Sequence, residues 1–74
     1  MIFAYTQPDD PLSEEMVRFL IQMGVDFKNI SLEGNTPARK FLDENGYKNA
    51  PHVFEGNVYI GHKCEEVEKY LESE

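Results

Sequence analysis

In Tyr5-Thr6-Gln7-Pro8-Asp9-Asp10-Pro11-Leu12-Ser13 a strand gives way to a helix within a few residues. Upstream, Ile2 to Thr6 is a compact run of apolar, aromatic and β-branched residues without polar alternation. Such a run reads as a short strand buried on both faces, as in a parallel or mixed sheet covered by helices. Pro8 and Pro11 then break it. Asp10 is a strong N-cap, and Pro11 suits the first helical position, where a missing N–H costs nothing. Glu14 and Glu15 put negative charge in the first turns, where the helix dipole favours it. Leu12, Met16, Phe19, Leu20 and Met23 follow the spacing of one buried helix face. Gly24 sits where a helix end wants a left-handed residue.

The remainder alternates in the same way. Val25 to Leu32 reads as a second, less regular strand, followed by a turn at Gly34-Asn35. Thr36-Pro37 repeats the cap-then-proline signature and opens a helix through Ala38, Phe41 and Leu42 that ends near Gly46. Asn49-Ala50-Pro51 is a break. His52-Val53-Phe54 and Val58-Tyr59-Ile60 flank Glu55-Gly56-Asn57, a short connection suited to a β-hairpin. Gly61 ends that strand, and Val67, Tyr70 and Leu71 form one face of a closing helix. The Glu-rich stretch from Glu65 to Glu74 is its solvated side. The expected order is β-α-β-α-β-β-α, an α/β fold with a four-stranded mixed sheet flanked by helices. A right-handed first crossover makes the first two strands parallel, and the hairpin adds an antiparallel half.

At 74 residues the chain is expected to form a single domain, residues 1–74. A domain this small buries only about 60% of its unfolded surface, so its stability margin is thin. A hydrophobic content of 41%, with five Phe and four Tyr, suits a packed globule and not a disordered acidic tail. No apolar run is long enough to span a bilayer, and the opening residues show neither a basic region nor a cleavage site of a leader peptide. A cytoplasmic location is expected. A net charge of −7 argues against nucleic acid or an anionic membrane as partner. It favours a protein partner, basic if charge guides the encounter. The one cysteine, Cys64, cannot form an internal disulfide. His52, His62 and Asp10 lack ligand spacing, so no metal site is expected.

Three spaced features resemble the glutaredoxins of the thioredoxin-fold superfamily. Tyr5 to Ser13 resembles the opening Tyr-Thr-Lys-Pro-x-Cys-Pro-Tyr-Cys. Asn49-Ala50-Pro51-His52-Val53-Phe54 resembles Thr-Val-Pro-Gln-Val-Phe, whose proline is cis, and Gly56 to Gly61 resembles the following Gly-x-x-Ile-Gly-Gly. The resemblance spans essentially the whole chain and implies a thioredoxin/glutaredoxin-like fold. It fits a bacterial or phage origin.

The departures fall where the family's chemistry lies. The positions of the two motif cysteines carry Asp10 and Ser13. A carboxylate cannot attack a disulfide sulfur, and a hydroxyl offers no resolving thiol. The expectation is a chain with no catalytic residue at the motif, in which Asp10 serves as a helix cap. The family's basic residue before the motif, which holds a glutathione carboxylate, is replaced by neutral Gln7. Asp9 and Asp10 add charge that repels an anionic tripeptide, so glutathione binding should be weak or absent and no cofactor is expected. A retained ligand surface would comprise Gln7, Asp9, Asp10, Pro11, Leu12, Ala50, Pro51, Gly61 and Cys64, with Ala50 presenting its backbone to an extended segment. Whether Pro51 marks a binding groove or only a required turn stays open. Cys64 follows Gly61-His62-Lys63, where the family has Gly-Gly-Cys-Asp-Asp with one residue fewer. The helix N-terminus and Lys63 lower the pKa of its thiol, while Glu65 and Glu66 raise it. Two functions follow. One is a redox-inactive protein-binding or regulatory module, and the alternative is a residual glutathione-dependent oxidoreductase acting through Cys64.

Overall fold

The computed structural model describes residues 1–73, so the Glu74 end of the acidic tail lies outside it. The elements are β1 (Ile2–Thr6), α1 (Pro11–Gln22), β2 (Phe27–Ser31), α2 (Thr36–Glu44), β3 (His52–Glu55), β4 (Val58–Gly61) and α3 (Cys64–Glu72). Their sheet order is β2-β1-β3-β4. β1 runs parallel to β2 and antiparallel to β3, and β3 pairs antiparallel with β4. This is the four-stranded mixed sheet with three helices expected from the order of elements.

The first strand is central because both its faces are apolar. On one face Ile2 and Ala4 pack with Val53, with Met16 and Leu20 of α1, and with Val67 of α3. On the other, Phe3 and Tyr5 join Phe54, Leu32, Leu42 of α2, Tyr47 and Tyr59. Successive strand residues point to opposite faces, so β1 serves both layers at once.

Three local expectations need correction. The buried line of α1 is Ser13, Met16 and Leu20, whereas Leu12 is 62% and Met23 40% exposed. Leu12 lies one residue, about 100° of helix, from the inward line, and Met23 is the C-cap beyond the last turn. The cap of α2 is Asn35, whose side chain accepts from the Ala38 N–H, and Thr36 begins the helix. The hairpin turn is Gly56-Asn57 alone, because Glu55 still pairs with Val58. Positive φ at Gly56 (57°) and not at Asn57 is the type II′ pattern, which matches strand twist.

A bulge in β4 affects the site. Phe54 pairs with Tyr59 but Val53 pairs with Gly61, so Ile60 is the extra residue. An extra residue shifts every later side chain by one position relative to the partner strand. Among the described residues no helix is long and apolar enough to cross a membrane.

Candidate functional site

The N-terminus of α1 is closed by its own side chains. Asp9 turns the chain with φ 58°, in the left-handed region that Asp tolerates better than most residues. Asp10 then takes an extended conformation as N-cap. Its Oδ2 accepts from the Ser13 N–H at 3.2 Å and from the Ser13 hydroxyl at 2.8 Å. Ser13 Oγ in turn accepts from the Gln7 N–H at 3.0 Å. Ser13 is 1% exposed, so these bonds satisfy a buried hydroxyl as well as an orphan helix donor. Asp10 and Ser13 are therefore bonded to each other, and the loop before the helix is tied to the same hydroxyl.

Two cavities meet beside this cap. One, of about 440 Å³, lies between the β1–α1 loop and α2 and is lined by Gln7, Asp9, Asp10, Arg39 and Lys48 among others. The second, of about 510 Å³, lies between α1 and α3 and is lined by Glu15, Pro51, His62, Cys64 and Glu65 among others. Leu12, Asn49 and Ala50 line both, so the two cavities adjoin across a ridge of these residues as the two halves of a groove. The Ala50–Pro51 peptide beneath that ridge is cis.

The structure brings Gln7, Asp9, Asp10, Leu12, Ala50, Pro51 and Cys64 to this groove. It does not bring all nine expected residues. Pro11 is exposed and Gly61 is buried, and neither lines either cavity. Gly61 has a packing role instead: a Cβ there would meet Glu66 Cβ at 2.7 Å. Glu66 itself accepts from the backbone N–H groups of His62 at 3.0 Å and Lys63 at 3.2 Å, and these bonds hold its carboxyl below its ordinary pKa.

Sequence reasoning missed the cations. Arg39 donates to Gln7 Oε1 at 2.7 Å, and Lys48 lines the same cavity. Nothing local in the chain announces this, because Arg39 reaches Gln7 across 32 positions once α2 has packed against the sheet. Neutral Gln7 thus does not leave the groove without positive charge.

Cys64 is the first residue of α3. Its Sγ donates to Glu15 Oε1 at 3.8 Å. Burial pushes the thiol up first, then the Glu15 charge and hydrogen bond, with Glu65 adding a little and a backbone bond opposing. The raising influences win over the helix end. Among the described residues no group of three or more His, Cys, Asp or Glu could hold a metal ion.

No family model and no curated protein sequence matches the chain. Solved structures do. The thioredoxin-like protein BC3987 is 26% identical, with 93% of this chain and 97% of that one covered and a TM-score of 0.79. The glutaredoxin-like protein NrdH-redoxin from Escherichia coli is 23% identical, with 92% and 91% covered and a TM-score of 0.82. A glutaredoxin from Brucella melitensis is 22% identical, with 97% and 78% covered and a TM-score of 0.72. The chain has the thioredoxin-like α/β fold, and its structural neighbours are thioredoxin-like and glutaredoxin-like proteins.

Proposed function

We propose that this chain is a redox-inactive protein of glutaredoxin-like fold that binds a protein partner along the groove between the α1 N-terminus and Pro51. One observation carries this. Where the resemblance puts two redox cysteines, Asp10 and Ser13 are bonded to each other as a helix cap. Neither atom set can form a mixed disulfide, while the cap stabilises the scaffold. The partner segment is extended and carries both apolar and basic residues. Leu12 offers an exposed apolar contact, and the carboxylates of Asp9, Asp10, Glu15 and Glu65 outnumber the cations of Arg39, Lys48 and Lys63 along the same groove. The test is capture of a defined partner from native cells by the wild-type chain and by Leu12→Lys. Loss of that partner with the variant, with circular dichroism unchanged, is the expected result. Equal capture by both would remove this surface from the account.

A second reading has its own support, since Cys64 shares the groove with Pro51, and Arg39 and Lys48 could meet the carboxylates of glutathione. In it the Cys64 thiolate attacks oxidised glutathione, forming a Cys64–glutathione disulfide and releasing one glutathione thiolate. A second glutathione thiolate then attacks the glutathione sulfur, regenerating Cys64. The raised thiol pKa works against the first step. Mass spectrometry after incubation with oxidised glutathione separates the two readings. The first expects no adduct of glutathione on Cys64, and the second requires one.

A further inference from the structure

His52, the residue that follows Pro51, is 4% exposed, and its Nε2 is buried with no hydrogen-bond partner among the described residues. Its other nitrogen, Nδ1, lies 3.1 Å from the Tyr59 hydroxyl. That same hydroxyl lies 3.3 Å from Nδ1 of His62, a residue in the wall of the groove. The bulge at Ile60 makes this possible. With Val53 opposite Gly61, the next position sets His62 against His52, and the rings are 6.2 Å apart. Tyr47 stacks on Tyr59 with ring centroids 4.2 Å apart and fixes the hydroxyl between the two imidazoles.

A phenol has one hydrogen to give. It bonds to both rings and keeps that hydrogen between them by donating to one Nδ1 and accepting from the other; accepting from both would turn its own hydrogen away from either ring. We infer that the Tyr59 hydroxyl is a two-way relay, through which proton uptake at His62 in the groove sets the tautomer of the buried His52. With His62 neutral, the hydroxyl donates to His62, and His52 Nδ1–H donates to the phenol oxygen. His52 Nε2 is then a bare lone pair, which burial tolerates better than an orphaned N–H. Once His62 is protonated, its Nδ1 must carry hydrogen and can no longer accept. The phenol turns to donate to His52 Nδ1, and the hydrogen of His52 moves to Nε2.

Among the described residues the groups facing the relay come from four places. His52 is faced by Tyr47 from the segment before β3, by Tyr59 from β4 and by His62, with Tyr5 opposite it on β1. His62 is faced by Tyr59 and by Glu66 of α3, whose Oε1 stands 3.5 Å from Nδ1. That oxygen already accepts two backbone N–H groups, which leaves the phenol as the closer partner. Burial, with smaller help from Glu66 and Tyr47, pushes the Tyr59 hydroxyl up to about 12, so it keeps its hydrogen throughout.

The inference does not depend on what the groove binds. Its test is a pH titration of the full chain by nitrogen NMR of the two histidine rings. As His62 takes up its proton, the two nitrogens of His52 should move in opposite directions at the His62 midpoint, the mark of tautomer exchange. Tyr59→Phe, which lacks the hydroxyl, should abolish that movement. His62→Gln, a surface change, should abolish it as well and covers the case in which Tyr59→Phe fails to fold. Static His52 nitrogens in the wild type, movement of both in one direction, or survival of the opposed movement in either folded variant would overturn the relay.

Discussion

Replacing Asp10 by alanine removes two hydrogen bonds at once. The cap to the Ser13 N–H, at 3.2 Å, contributes about 1 kcal/mol. The bond from the Ser13 hydroxyl, at 2.8 Å, goes to a charged acceptor, and the hydroxyl it would strand is 1% exposed. Such a bond contributes about 1.5–3 kcal/mol, though Ser13 Oγ keeps its bond from Gln7 and can reorient its hydrogen. A loss of about 2–3 kcal/mol follows. Domains of this size have a total stability of roughly 4–11 kcal/mol, so the melting temperature should fall by roughly 10–20 °C. Asp10→Asn keeps a capping oxygen and should cost less than about 1 kcal/mol. Urea unfolding of Asp10→Ala, Ser13→Ala and the double variant completes the cycle, and coupling of about 1–2 kcal/mol is expected between the two sites. A cost below about 0.5 kcal/mol for Asp10→Ala, or additive single costs, would refute the argument that these residues form one closed cap.

Other expectations follow from the packing and the pKa shifts. Gly61→Ala puts a methyl group 2.7 Å from Glu66 Cβ, so α3 must shift and its capping bonds loosen; unfolding should show a loss of about 1–3 kcal/mol. His52 is held below the usual histidine range, by burial first and His62 second. The unfolded chain therefore binds this proton at a higher pH than the folded one. Its contribution is fully present above about pH 6.5 and is lost as pH falls from there through the folded value. The slope from this single group cannot exceed about 1.4 kcal/mol per pH unit. Urea midpoints of wild type and His52→Gln between pH 7.5 and 5 check it, and the variant should show a flatter dependence.

The parts of the fold legible in the sequence are those fixed by near neighbours. The N-cap at Asp10 with Pro11 at the helix start, the apolar run of β1, and Gly24 and Gly46 past their helices, at φ 70° and 80°, each need only local chemistry. The misreadings have physical causes of the same scale. Asn35 and Thr36 are both good caps, and only the bond to Ala38 selects Asn35. An apolar stripe through Leu12 and Met23 fits a longer helix than the one that forms, and the hydroxyl of Ser13 disguises its place on the buried line.

What the sequence hid at the candidate site is tertiary. Arg39 reaches Gln7, and Glu15 reaches Cys64, across the space between separate elements. The balance of influences on the Cys64 thiol could not be struck before Glu15 was placed. The bulge at Ile60, which turns His62 toward His52, leaves no mark in composition or alternation. His52 and Tyr59 sit in segments that carry the glutaredoxin resemblance and His62 directly follows the last of them, yet their juxtaposition depends on that one extra residue.

The redox silence of the α1 N-terminus is measured most directly by disulfide reduction, with hydroxyethyl disulfide and glutathione as substrates, by the native chain and by Asp10→Cys/Ser13→Cys side by side. Background turnover is expected for the native chain and clear turnover for the double variant. Turnover by the native chain that disappears in Cys64→Ser would contradict this expectation, because thiol chemistry would then have survived the loss of sulfur at the start of α1.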